Sequence, residues 1–179
     1  MRWLAVVGVL MAVVGTAQAQ VLWVGASAGT SWEYKADSAT DRTWKHRNDP
    51  VPQVFVAMPV EDATLVRLRV AEIPYELRLP TGHATCTLRS YTLGVDYMID
   101  SGLGEAVFSA GVGGYRLIVD KGVAPSEFQT TKFGYYVGAG EWYALTKRLR
   151  LTAEVTLHRT ENAGTPNIVT ATAGLAFSF

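Results

Sequence analysis

The sequence predicts an all-β fold, an eight-stranded antiparallel up-and-down transmembrane β-barrel. Three observations carry the prediction. Apolar side chains alternate with small or polar ones over most of the chain, while helical spacing is nearly absent. The connections between alternating stretches are short and long by turns, as an up-and-down meander requires. The polar faces are rich in Gly, Ser and Thr with a few opposite charges at mid-strand, which suits a narrow barrel interior better than a surface in water.

The first element lies outside the fold. Met1-Arg2-Trp3 carries one positive charge, Leu4 to Val14 is apolar apart from Gly8, and small residues lead to Ala17-Gln18-Ala19. These are the n-region, h-region and cleavage site of a signal peptide over 1–19, which leaves a barrel domain over 20–179 bound for the outer membrane. No later apolar run approaches the roughly 18 residues a transmembrane helix needs. The mature chain must therefore meet a membrane as strands.

Strands are expected over 21–32, 52–60, 63–74, 86–99, 104–118, 131–145, 148–159 and 168–179. The last is the clearest: Val169, Ala171, Ala173, Leu175, Phe177 and Phe179 share one face, and Thr170, Thr172, Gly174, Ala176 and Ser178 the other. Leu149, Leu151, Ala153, Val155 and Leu157 alternate in the same way with Arg150, Thr152, Glu154 and Thr156, as do Phe133, Tyr135, Val137 and Ala139 with Gly134, Tyr136 and Gly138. Short turns at Glu61-Asp62, Asp100 to Leu103 and Thr146-Lys147 fall at one end; longer loops over 33–51, 75–85, 119–130 and 160–167 fall at the other. Closure of eight antiparallel strands removes their exposed edges. Alternation alone also fits a soluble lipocalin-like barrel with its apolar face inward. The interior-like polar faces decide for the membrane, together with aromatics near strand ends, Trp32, Tyr91, Tyr97, Phe133, Phe177 and Phe179, that would form interfacial girdles. Both termini are then periplasmic and four loops face outward.

Composition excludes several functions. Lys and Arg number 16 against 16 Asp and Glu, so no basic surface invites nucleic acid. The single Cys, Cys86, cannot form an internal disulfide, and neither zinc spacing nor a carboxylate pattern around His46 and His83 points to a metal. No cofactor is expected. Gly111, Gly113, Gly138 and Gly140 sit mid-strand, where they relieve crowding and cradle no phosphate.

The run GYYVGAG from Gly134 to Gly140, then YALT from Tyr143 and LRLTAE from Leu149, resembles the closing half of OmpA/OmpX-like outer-membrane β-barrel domains. FSAGVGGYRL from Phe108 is similar to their central strand, and AFSF at Ala176–Phe179 resembles the C-terminal signal read by the barrel assembly machinery, with Phe177 and Phe179 as its aromatics. The likeness covers the mature chain in layout and, in motif, mainly residues from about 104 onward. One departure is visible: Trp142 stands where the family has an inward Glu, with Glu141 beside it on the other parity, and a bulge at 140–143 would reconcile the two. The resemblance implies a non-enzymatic membrane scaffold or a surface-interaction and adhesion protein.

Three constellations are candidates for function. Arg67, Arg69, Asp96, Glu105, Arg150 and Glu154 fall on inward faces and are expected to form a lumen charge network, either a plug or the gate of a small channel. His158-Arg159-Thr160 loosely resembles the His-x-Ser stretch of outer-membrane lipid A deacylases, but no Asp or Glu follows Asn162 to orient the histidine, and the plainer expectation is a surface turn. The loop over 33–51 groups Trp44, Lys45, His46 and Arg47 with other charges, a candidate contact for lipopolysaccharide or another cell, whose ligand the sequence does not name. Outer-membrane lipid, lipopolysaccharide and the assembly machinery are the partners expected.

Overall fold

The computed structural model describes residues 22–34, 43–47, 49–79, 82–122, 130–160 and 167–179. The segment read as a signal peptide therefore lies outside the described residues. Among the described residues nine strands follow in order: β1 (Trp23–Tyr34), β2 (Thr43–His46), β3 (Gln53–Glu61), β4 (Thr64–Leu79), β5 (Gly82–Asp100), β6 (Glu105–Lys121), β7 (Thr131–Ala144), β8 (Leu149–Thr160) and β9 (Asn167–Ser178). All pairings are antiparallel, in the order β2-β4-β3-β1-β9-β8-β7-β6-β5, and β4 pairing with β5 closes the sheet. Eight long strands form the barrel wall; β2 is a short addition beside the outer half of β4, where His46 pairs with Tyr75 and Thr43 with Arg78.

The wall closes with a stagger. The row of cross-strand neighbours through Arg69 reaches Thr160 of β8 by way of Thr92, Gly113 and Gly134. In the other direction, by way of Phe55, Gly25 and Ala176, it reaches Arg150, ten residues earlier in the same strand. Such a displacement tilts the strands and sets the bore.

Alternation sorts the two faces. Val24, Trp32, Val54, Leu68, Tyr91, Leu93, Val95, Tyr97, Ile99, Phe108, Val112, Phe133, Tyr135, Val137, Val155, Leu175 and Phe177 are large, apolar and exposed, an arrangement stable in lipid and costly in water. Arg67, Arg69, Asp96, Thr152, Thr156 and His158 are buried inside. All six residues read as girdle aromatics stand on the outer face, and Tyr135 and Phe108 join them.

Several boundaries differ from the sequence reading. The 75–85 stretch is not a loop, because β4 runs to Leu79 and β5 starts at Gly82. Beyond Tyr91 the polarity of the two faces inverts. On β5 the outward series Ile99, Tyr97, Val95, Leu93, Tyr91 gives way to Arg89, Thr87 and Thr85, while the inward series passes from Asp96, Thr92 and Ser90 to Leu88, Cys86 and Ala84. The strand has left lipid for water, so its apolar face turns inward. β6 likewise continues to Lys121, and the 33–51 stretch contains the end of β1 and all of β2. The bulge expected at 140–143 is absent: β7 keeps an unbroken register with both neighbours, Glu141 pointing outward and Trp142 inward. Trp142 instead fills the space an inward Glu would take.

Candidate functional site, the barrel lumen

Arg67 and Arg69 lie two residues apart on β4 and so project from one face into the lumen. Two adjacent buried cations need two anions. Asp96, on neighbouring β5, takes one edge of the Arg67 guanidinium, with Nη2 donating to Oδ1 at 2.9 Å and Nε 2.7 Å from Oδ2. Glu154, on β8, takes the rest: Arg67 Nη1 donates to its Oε1, and Arg69 Nη2 to its Oε2 at 3.0 Å. Trp142 Nε1 also donates to Glu154 Oε1 at 3.1 Å, and Arg69 Nη1 to Thr156 Oγ1 at 3.2 Å. β4 and β8 are four strands apart in either direction round the wall. These ion pairs therefore span the bore from side to side, and their two cations and two carboxylates form a neutral layer.

Aromatics hold the guanidinium planes. Arg67 lies 5.1 Å from the Phe55 ring centroid and Arg69 4.8 Å from that of Tyr136. Glycines make room for these rings. A Cβ on Gly25 would sit 2.2 Å from Phe55 Cζ, one on Gly94 2.1 Å from Tyr136 Oη, and one on Gly134 2.7 Å from Tyr115 Cδ2. Gly111 also lies against Tyr136, and Gly140 against Glu154, consistent with the reading that mid-strand glycines relieve crowding.

Of the six lumen charges proposed from sequence, four form this layer. Glu105 and Arg150 form a separate ion pair nearer the turn end, partly exposed, with Arg150 4.5 Å from the Trp23 ring centroid. Trp142 lies between the two groups: its ring centroid is 5.9 Å from Arg150, and its indole N–H reaches Glu154.

Apolar packing brackets the charge layer. On the turn side Trp23, Phe55, Ala57, Leu65, Val107, Trp142 and Ala176 form one buried cluster. Trp142 packs edge-on against Trp23, ring centroids 5.9 Å apart. On the outer side Val51, Ile73, Tyr75, Ala84, Cys86, Leu88, Tyr115, Leu117 and Ile168 form another. Between the charges and this outer cluster sits His158, with Nδ1 3.0 Å from Tyr115 Oη and Nε2 3.3 Å from Thr170 Oγ1. His158 lies in β8 as the strand expected over 148–159 requires, and Thr160, expected at the start of the 160–167 loop, also belongs to β8; both face the lumen, so the motif is not a surface turn. The reason is register: both carry the inward parity of Glu154 and Thr156.

The sequence reading put Tyr136 and His158 on inward-parity faces and Trp142 where an inward Glu would stand, but it singled out none of these, nor Phe55 and Tyr115, as part of a lumen site. Inward parity was readable for each; which wall each faces across the bore depends on the ten-residue stagger, which no local pattern encodes. Trp44, Lys45 and His46 lie on β2 with their backbones paired to β4, and Arg47 just after it pairs with Asp49. Phe177 and Phe179 stand on the outer face with ring centroids 5.1 Å apart, and Phe179 N–H donates to Leu22 O at 3.0 Å. Cys86 is a free, buried thiol. Among the described residues no group of His, Cys, Asp and Glu could hold a metal.

The sequence matches no protein-family model and no curated protein. Solved structures do share the fold. Neisserial surface protein A is similar with a TM-score of 0.65 at 17% identity, over 88% of this chain and 97% of that one. A major outer membrane protein from Thermus thermophilus gives 0.60 at 15%, over 90% and 100%. The N-terminal β-barrel domain of Pseudomonas aeruginosa OprF gives 0.57 at 13%, over 89% and 97%. The chain thus has the fold of small eight-stranded outer-membrane β-barrels, the OmpA/OmpX-like architecture its motifs resemble.

Proposed function

We propose that this outer-membrane-type barrel is a non-enzymatic, non-conducting membrane scaffold that acts in surface interaction or adhesion through the parts standing beyond the outer leaflet. The observation that carries the reading is the Arg67/Arg69–Glu154 bridge across the bore between two apolar clusters. A lumen filled at three successive levels supports this reading over the narrow-channel alternative, since an eight-stranded interior is only just wide enough for its side chains. His158 and Thr160, buried inside the wall, have no access to membrane lipid, which argues against a lipid-directed nucleophile. Among the described residues, the extension of β4, β5 and β6 with β2 beside it stands beyond the outer margin of the lipid-facing band. Export by the 1–19 signal and recognition of Phe177 and Phe179 by the assembly machinery complete the proposal.

Two measurements test it. Reconstituted in planar bilayers, the protein is expected to give no stable current; long-lived channels would overturn the closed-lumen reading. Cells displaying the protein are expected to attach to a host-cell monolayer more than cells in which residues 43–47 are replaced by Gly and Ser. Equal attachment at equal surface expression would remove the adhesive role.

A further inference from the structure

The outer wall carries a set of cations the lumen network does not use. Arg89, Arg116 and Arg159 all point outward, from β5, β6 and β8. Arg89 and Arg116 are directly opposite one another across the β5–β6 ladder. Like charges in that position repel, so the pair costs stability unless an anion lies over it. Glu72, on the far side of Arg89, satisfies that residue, accepting from its Nε at 2.8 Å. Arg116 and Arg159 are exposed and have no ion-pair partner among the described residues.

Their height on the barrel is fixed by register. Each row of neighbours climbs toward the outer end as it passes from β5 to β8, the consequence of the ten-residue stagger. Arg159 belongs to a lower row than Arg116, pairing through Tyr135 to Val112, and the climb over two strands lifts it to about the level of Arg89 and Arg116. Tyr91, Phe133 and Tyr135, the outer girdle on this side, stand next to them on the same face. The arginines thus line the upper margin of the lipid-facing band, where headgroups begin. Three strand spacings separate β5 from β8, about 14 Å.

We propose that this wall is a binding site for a phosphorylated glycolipid headgroup of the outer leaflet, such as the bisphosphorylated lipid A part of lipopolysaccharide. Arg116 and Arg159 take its phosphates, and the girdle aromatics below receive its acyl chains. Guanidinium groups suit the task, since they engage phosphate oxygens in pairs and stay charged at a membrane surface. The inference uses the outer-membrane setting of the barrel but not its adhesive role: the wall can hold lipid whether or not the extracellular parts bind another cell.

The test is binding of bisphosphorylated lipid A to the purified full barrel in neutral-lipid nanodiscs, against dephosphorylated lipid A and inorganic phosphate. The double variant Arg116→Glu, Arg159→Glu is expected to lose affinity for the bisphosphorylated form by roughly tenfold or more while binding the dephosphorylated form like the parent. Arg148→Glu, at an exposed turn on the opposite end, is expected to bind like the parent. Heat-modifiable gel mobility confirms that each variant is folded, and Arg116→Gln with Arg159→Gln replaces the reversal if it is not. Unchanged affinity in the folded double variant, or an equal loss in Arg148→Glu, overturns the proposal. Displacement of the lipid by inorganic phosphate alone would make this a site for the free ion and overturn the lipid assignment.

Discussion

A single methyl group tests how tightly the lumen is filled. Gly25 of β1 has no room for a Cβ because the Phe55 ring from β3 lies over it, and the three nearest atoms, within 2.2 to 2.9 Å, all belong to that ring. The obstruction is a side chain, so a smaller one should remove it. Gly25→Ala is expected to destabilise the barrel by about 1–3 kcal/mol, the usual range for overpacking a core. Adding Phe55→Leu should recover part of that loss, and denaturant titration of refolded protein measures both. If Gly25→Ala is as stable as the parent, the ring does not hold the position described. The same logic explains why the interior alternates glycine with large rings and guanidinium groups. In an eight-stranded bore, a side chain reaching the axis needs a neighbour that does not.

At the scale of the strand, polarity inversion marks where β4, β5 and β6 leave the membrane. Ile99 to Tyr91 face lipid, whereas Arg89 and Thr87 on the same face lie beyond it. A membrane-impermeant maleimide is therefore expected to label Asp120→Cys in intact cells and to leave Leu93→Cys unlabelled. Cys86 itself should stay unlabelled until the protein is denatured, because its side chain is buried and burial pushes the thiol up to about 11, beyond the range where thiolate forms at neutral pH. Labelling of native Cys86 would mean that the outer cluster is open. The existence and direction of the eight wall strands were legible in the sequence because alternation is a local signal. Their outer ends were not: Pro80 and Gly82 made 75–85 read as a long loop, whereas Ala84 continues the inward series of Leu88 and Cys86 in a strand that has passed from lipid into water. β2 was hidden for another reason, since four residues flanked by polar sequence become a strand only when the extended β4 offers an edge. The lumen charges show the same division. Inward parity identified all six, but the split into a layer of four and the separate Glu105–Arg150 pair depends on which strands face each other across the bore.

For the whole molecule, the question is which layer keeps the lumen shut. The charge layer is the layer a gate would use, but it has apolar clusters above and below, so closure as proposed above would not rest on it. Stability does. Glu154 is the shared acceptor of Arg67, Arg69 and Trp142, and replacing it by Ala leaves Arg69 without a carboxylate inside the wall and Arg67 with Asp96 alone. Breaking a buried pair on one side costs about 3–5 kcal/mol, so Glu154→Ala should unfold at markedly lower denaturant than the parent. Converting Arg67 and Arg69 to Leu and Met and Asp96 to Leu in that background removes the stranded charges, and most of the lost stability should return, since apolar replacement of a whole buried network is often neutral. Neither variant should conduct, because Trp23, Phe55 and Trp142 still fill the turn side and Ile73, Tyr75 and Leu117 the outer side. Current through Glu154→Ala alone would make the charge layer a gate and the apolar clusters its permeable approaches. Silence in both variants, with the stability pattern just given, would make the charges a fastening that locks β4 to β8 across a bore closed by packing.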